Sequence, residues 1–269
     1  IQLIEEYGTA RRDATVVPMT TDTLNLMTLT GKVTAYWTAE AAQITHSQPT
    51  YGKPVLTVKK LAGITKFSPE LFEDANINIV ENLLQLFAEE FSKKEDDEFF
   101  NGTGTNFTGI LQDGTTTDTT LSTVYPGGLS YEKLVDLVHT LTPGKLAGGG
   151  KFYMHRTVFA EVRKLTDGSG RYISSDPLGA APGTLLGFPV TLNEILPSTF
   201  AAAARILVFG NLKPWTYFGD RRQITVKILE EGTVASENLA EEDLQALRVV
   251  ERVSINIARG VNIATLKNA

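Results

Sequence analysis

The sequence predicts an α+β fold, with helices crowding the middle of the chain and strands crowding its end. Three observations predict it. Val80, Leu83, Leu84, Phe87 and Phe91 recur at spacings of three and four, so one apolar stripe runs along a helix that stops at Asn101-Gly102. Residues 125–212 alternate helical and strand-like stretches, the pattern of an α/β unit. The last quarter alternates at period two, from Ile224 to Leu229 and again from Leu247 to Ile257.

Residues 1–31 read as an arm, because Thr15 to Met19 and Leu24 to Met27 are short extended pieces without a helical apolar period. Two strands follow, Lys32 to Tyr36 (with Val33, Ala35 and Trp37 on one side) and Val55 to Lys60. Between them Thr38 to Pro54 is a polar connection of about 17 residues, unusual inside a compact domain and better suited to a loop whose partners lie on another molecule. Ser68 is a good N-cap, Pro69 fits the first helical position, and Glu70 and Glu73 favour the helix dipole. Asn76 and Asn78 interrupt, and Asn78 with Glu81 forms a capping-box-like restart of the long helix.

After Gly109-Ile110 the Thr-rich stretch Thr115 to Thr123 reads as a loop. Ser130 caps a helix whose face carries Leu134, Leu137, Val138 and Leu141. Gly148 to Gly150 breaks the chain before the strand Phe152 to Met154, then a helix spans Thr157 to Leu165 and a turn occupies Asp167 to Gly170. Leu186 to Val190 and Ile206 to Phe209 look like buried strands, and Val261 to Leu266 closes the chain as another.

Composition narrows the function. The 269 residues are 42% hydrophobic and 21% charged, which suits a folded chain with one large domain or two ordinary ones. A net charge of −6 gives no global attraction to nucleic acid. The absence of cysteine excludes disulfides and thiolate metal sites. No apolar run approaches the roughly 20 residues that span a bilayer. Ile1 stands in place of an initiator Met, which fits processing or trimming, and Glu5, Glu6, Arg11 and Arg12 break any signal-peptide segment. These features point to a soluble protein made inside the cell.

Chemistry is sparse. His46, His139 and His155 are scattered and lack a second ligand at metal spacing. Glu95-Asp96-Asp97-Glu98 could hold a cation, but the simpler reading is a solvated helix face balanced by Lys93 and Lys94. Glu237, Glu241, Glu242 and Asp243 read as loop charge. Gly148-Gly149-Gly150-Lys151 fails as a phosphate loop because Phe152 follows the lysine and Lys145 stands where the first glycine belongs. Gly102-Thr103-Gly104 follows a helix instead of a strand, and no G-x-S-x-G elbow occurs. Arg11-Arg12 and Arg221-Arg222 suit exposed intersubunit salt bridges as well as an anionic partner. No catalytic, cofactor-binding or metal-binding residue is assigned, and a small-molecule enzyme built on the α/β middle would need a pocket of convergent polar groups.

From Val33 to Ile263 the order of motifs resembles the Hong Kong 97-type major capsid proteins of tailed bacteriophages. Ser68, Glu70, Leu71, Glu73 and Asp74 are similar to the entry of that family's spine helix. Asp96-Asp97 to Gly104 and Phe107 to Leu111 resemble its end. Met154-His155-Arg156, Val162 to Leu165, Asp167 and Gly170-Arg171-Tyr172 resemble the family's helix, turn and G-R-Y element. Leu185 to Val190 is similar to its L-x-G-x-P-V signature, and Phe209-Gly210-Asn211, Phe218-Gly219-Asp220 and Arg248 to Arg259 complete the pattern.

The resemblance implies an α+β capsid fold with an N-terminal arm (1–31), an extended β-hairpin loop (32–66) and a peripheral domain with the spine helix (67–124). An α/β axial domain (125–212) and peripheral-domain strands (213–269) would follow. It implies a non-catalytic subunit that assembles with itself into hexamers and pentamers of an icosahedral head around double-stranded DNA, without sequence-specific DNA binding, membrane or cofactor. Its expected place is the virion, assembled in the host bacterial cytoplasm with a portal, a scaffolding segment, a maturation protease and a decoration protein as partners. An encapsulin-like nanocompartment shell around a cargo enzyme is the alternative. Gln43, His46, Gln48, Tyr51 and Lys53 would make intersubunit contacts on the loop, and Arg171, Tyr172 and Asp176 would lie near the hexamer centre. The family's isopeptide partners are not matched: Ile44 or Thr45, Asp243 and Val250 occupy the lysine, asparagine and glutamate positions, so a noncovalent shell is expected.

Overall fold

A computed structural model describes residues 8–68, 70, 79–124, 126–146, 149–166, 183–198, 201–234 and 237–269. Asn76, Asn78, Pro69, the Asp167 to Gly170 turn, Arg171, Tyr172 and Asp176 lie outside the described residues. In chain order the elements are α1 (Thr9–Asp13), β1 (Thr15–Pro18), β2 (Thr23–Asn25), β3 (Thr28–Gly31), β4 (Thr50–Gly52), β5 (Val55–Thr57), β6 (Lys59–Phe67) and α2 (Ile79–Asn101). Then come β7 (Thr117–Thr120), α3 (Tyr131–Thr140), α4 (Pro143–Leu146), β8 (Lys151–Met154), α5 (Arg156–Arg163), β9 (Thr184–Leu185) and β10 (Phe188–Leu192). The chain ends with β11 (Arg205–Gly210), β12 (Thr216–Leu229), β13 (Thr233–Val234), β14 (Glu237–Asn238), β15 (Gln245–Ile257) and β16 (Ala264–Lys267).

Two sheets organise these elements. The peripheral sheet has strand order β1-β12-β15-β6, and the central sheet has order β7-β16-β11-β8-β10-β9. Period two fixes what each strand buries. On β15 the odd positions Leu247, Val249, Glu251, Val253 and Ile255 are buried. On β8 and β11 alternate residues serve opposite faces: Phe152, Met154, Leu207 and Phe209 join one core with Leu134 and Leu137 of α3 and Val158 and Val162 of α5. Tyr153 and Val208 join the other core, with Phe99, Phe100, Phe218, Val253 and Ile255. The central sheet therefore carries helices on one face and the peripheral unit on the other.

Helix α2 has 23 residues, about 35 Å at 1.5 Å per residue, and serves both units. Its first half packs Leu83, Leu84, Phe87 and Phe91 against Leu61, Leu247 and Val249. Its end buries Phe99 and Phe100 in the core shared with the central sheet. The chain then doubles back tightly, with the Ile110 amide donating to the Phe99 carbonyl at 3.0 Å. A Cβ on Gly109 would sit 2.4 Å from the Gly102 nitrogen, so that position accepts only glycine. Ser130 Oγ caps α3 by accepting from the Lys133 amide, and His155 caps α5 through its ring nitrogen and the Thr157 amide.

Several expectations are corrected. The segment Lys32 to Tyr36 has no strand partner among the described residues; the ladder forms earlier, at β3. The expected strand Val55 to Lys60 divides into β5 and β6. Residues 8–19 are not a loose arm, since Ala10, Ala14 and Met19 are buried and β1 runs parallel to β12. Thr115 to Thr123 contains β7, parallel to β16. Leu186-Gly187 is a turn joining β9 and β10, with φ of 52° and 83°, the paired positive angles of a two-residue hairpin turn. The last strand, β16, belongs to the central sheet, so residues 213–269 do not stay in the peripheral one. Period two reveals that a strand exists but not which sheet receives it.

Candidate assembly surface

The most prominent surface feature is a finger built from residues 23–57. Its root is laddered by β2 with β5 and by β3 with β4, and Asn256 and Arg259 hold it to the rest of the chain through the Val55 and Thr30 carbonyls. The pairing register continues outwards: Gly31 faces Thr50, the Thr34 amide donates to Ser47 Oγ at 2.9 Å, and the turn falls at Glu40-Ala41. Beyond Gly31 the two arms share no backbone ladder among the described residues. The finger is apolar in places where a monomer should not be. Trp37 is 105% exposed, Ile44 79%, Met27 75% and Val33 62%, far from the burial such side chains seek. Gln43, His46, Gln48, Tyr51 and Lys53 all lie on this finger and all are exposed.

The second feature is a buried polar clasp among charges far apart in the sequence. Arg11 of α1 reaches Glu95 of α2 at 2.7 Å, Asp220 of β12 at 3.4 Å and Glu251 of β15, and its guanidinium lies 4.6 Å over the Phe218 ring. Burial disfavours its charge, but these carboxylates outweigh that and hold it firmly protonated. Burial and the nearby Glu95 charge push the Glu251 carboxyl upward against the pull of Arg11. Asp96, wholly buried, accepts from the amides of Thr9 at 3.1 Å and Ala10 at 2.7 Å and from Asn193 Nδ2 at 3.2 Å. Burial raises its pKa to about 6, and those three hydrogen bonds limit the rise. Asp13 accepts from Lys151 Nζ at 2.6 Å and from the Tyr153 hydroxyl at 3.1 Å.

The acidic run Glu95 to Glu98 is therefore not a solvated face. Glu95 and Asp96 point inward, Asn101 donates to Asp97, Asn106 donates to Glu98, and Lys93 pairs with Glu90 instead. Arg11 likewise serves a contact within the chain, not an exposed intersubunit bridge. The signal existed in the spacing. Phe91, Glu95 and Phe99 share one stripe at i, i+4 and i+8, and Glu251 occupies the inward parity of β15. Arg221 is paired with Asp22 at the finger's base.

Among the described residues no group of three histidines or acids is set to hold a metal ion, and no helix is long and apolar enough to cross a membrane. A cleft of about 130 Å³ between β6, α2 and β15, lined by Lys59, Lys60, Leu61, Lys94, Glu95 and Phe107 among others, contains neither a histidine nor a hydroxyl side chain.

Against known proteins, residues 1–268 match the family model described as the phage capsid family. The chain belongs to the phage capsid family. Its fold is that of solved shells. The capsid of a native GTA particle superimposes with a TM-score of 0.85 at 22% identity, covering 98% of this chain and 90% of that one. Chains from Mycobacterium phage Bobi and Gordonia phage Cozz give TM-scores of 0.77 each, at 22% and 14% identity, with 97% and 98% of this chain and 90% and 87% of theirs covered. No curated protein matches. The Hong Kong 97-type fold is thereby shown, and the capsid subunit's role is structural and not enzymatic. Family and neighbours favour a phage-type shell over the nanocompartment alternative.

Proposed function

We propose that this capsid subunit closes an icosahedral phage head of hexamers and pentamers around double-stranded DNA, and that the finger is the element that clasps the neighbouring subunit. The observation that carries the reading is the finger itself. From Lys32 to His46 every residue is exposed, Trp37 and Ile44 included. Such a segment loses conformational freedom without burying apolar area in its own chain, and repays that only in an assembly. Gln43, His46, Gln48, Tyr51 and Lys53 make the intersubunit contacts, and Arg171, Tyr172 and Asp176 stand near the hexamer centre. Residues 23–57 act as the extended loop, β1, β6, α2, β12 and β15 as the peripheral domain, and residues 125–212 with β7 and β16 as the axial domain.

The head assembles in the bacterial cytoplasm with a portal, a scaffolding segment and a maturation protease, and takes its place in the virion, where a decoration protein can bind. The enclosed DNA meets no sequence-reading surface, in keeping with a net charge of −6. The shell is held without covalent crosslinks, so mature particles should run as single subunits on a denaturing gel.

Replacing residues 34–47 by Asn-Gly tests the finger, because a two-residue turn can close the β3–β4 ladder in register. The expected result is a folded subunit, with unchanged far-ultraviolet circular dichroism, that forms no shells. Normal particles from this variant would refute the role.

A further inference from the structure

The finger and the peripheral sheet each leave half of a strand pair unused. On the sheet, β1 covers the edge of β12 only from Tyr217 to Asp220, so among the described residues the edge from Arg222 to Leu229 has no partner. That edge is apolar on the face toward α2. Val226 lies opposite Val249 and Ile228 opposite Leu247. Val249 and Leu247 are buried under Phe87 and Phe91, whereas Val226 and Ile228 remain 41% and 46% exposed because α2 does not reach the β12 column. Ile224, beyond a bulge, is exposed as well. An exposed apolar edge is a template for another strand.

On the finger, the chain runs without bend or turn from Lys32 to Ala39. Val33, Ala35 and Trp37 alternate with polar residues as a strand's would, yet they have no ladder partner among the described residues. Both halves exist in one chain and do not meet there, so the partner is a second copy.

We propose that residues 33–38 of one subunit add to the free edge of β12 in a neighbouring copy as an antiparallel strand, with Val33 opposite Ile228, Ala35 opposite Val226 and Trp37 over Ile224. Charge selects the direction. In the antiparallel sense Lys32 arrives beside Glu230 and Glu231, and Glu40 beside Arg221 and Arg222. A parallel strand in matching register would set Lys32 near Arg222 and Glu40 near Glu231, like against like at both ends. Parity selects the register, since a slip of one residue would turn Val33 and Trp37 away from the apolar column. Strand addition gives backbone hydrogen bonds to an edge without a strand partner among the described residues and covers the column that α2 leaves bare. This inference rests on the shell reading and specifies which surface of the neighbour the finger grips.

The native chain has no cysteine, so paired cysteines report contact without background. Val33→Cys/Ile228→Cys, assembled and mildly oxidised, should give a ladder of dimers and higher oligomers on a non-reducing denaturing gel, because each subunit donates one strand and accepts another. Val33→Cys/Lys227→Cys, which places the second thiol on the opposite face, should link at least several-fold less. In mixed particles of the two single variants, Val33→Cys and Ile228→Cys, dimers should be the limit. Hydrogen exchange on unmodified protein is independent of the variants: amides of residues 224–228 should gain protection on assembly. Particles that stay unlinked, a link within one chain, equal linking at position 227, or unchanged exchange at 224–228 would each overturn the pairing. Failure of the unmodified chain to form particles would overturn the shell reading beneath it.

Discussion

Replacing Arg11 by methionine removes a guanidinium and keeps a stem of similar length against Phe218. The guanidinium sits 2.7 Å from Glu95 and within reach of Glu251, whose side chains are only 5% and 2% exposed. Without it two carboxylates remain in a protein interior with no cation between them. Breaking a buried ion pair by removing one partner costs about 3–5 kcal/mol. The Arg11 side chain is one-third exposed, so water screens part of this and the loss is about 3 kcal/mol at pH 9–10, where Glu251 is ionised. For a chain of this size that lowers Tm by roughly 6–12 °C.

The pH dependence identifies the cause. Burial and Glu95 already hold the Glu251 carboxyl above the usual range, and loss of Arg11 raises it further. A carboxyl whose folded pKa exceeds its unfolded one binds its proton more tightly in the folded state. Acidification through that folded pKa therefore returns stability to the variant, and because the wild-type carboxyl itself titrates at about 8, the gap should be widest at pH 9–10 and narrow toward pH 7, where both carboxyls are protonated in the fold. Urea unfolding followed by circular dichroism, on subunits kept unassembled as judged by sedimentation, measures the gap. A gap below about 1 kcal/mol at its widest, or one that stays constant over this range, would mean that Arg11 does not neutralise the buried carboxylates. Arg11→Met/Glu95→Gln/Glu251→Gln should recover most of the loss, since no buried charge is left unpaired.

Three further outcomes follow from the same clasp and core. Ionised Asp96, with a pKa near 6 in the fold against about 3.9 unfolded, opposes folding. Wild-type stability should thus rise from pH 7 toward pH 4 by up to about 3 kcal/mol more than that of Asp96→Asn, as paired unfolding curves would show. Gly109→Ala should cost at least about 2 kcal/mol, because its Cβ would meet the backbone of Gly102 and Phe100. A soluble, wild-type-like melting curve would contradict the tight turn. Phe99→Ala should cost about 3–5 kcal/mol by emptying a wholly buried site between the two units, read as a drop in the denaturation midpoint.

Much of the fold is legible in the sequence where one local rule decides the outcome. The stripe Leu83, Leu84, Phe87, Phe91 gave the spine helix, Ser130 gave the start of α3, and the alternation of residues 247–257 gave β15. The misreadings arose where the deciding contact is distant in sequence. β7 is a run of threonines and aspartate that becomes a strand because β16, more than a hundred residues later, offers an edge. The clasp escaped for a related reason: Arg11 and Glu95 each read as surface charge in their own segment, and only the fold brings them together with Glu251. Lys32 to Trp37 is the converse case. Its strand-like alternation is real in the sequence, but its own chain supplies no ladder partner among the described residues.

In the proposed shell the finger and the β12 edge of each subunit are completed by its neighbours. Cryo-electron microscopy of the purified protein, under conditions that promote assembly, tests it most directly. Closed icosahedral shells or flat hexameric sheets are expected, with each finger lying across an adjacent subunit's peripheral sheet. A population that remains monomeric near 29 kDa under every condition, with no rings or shells, would contradict it.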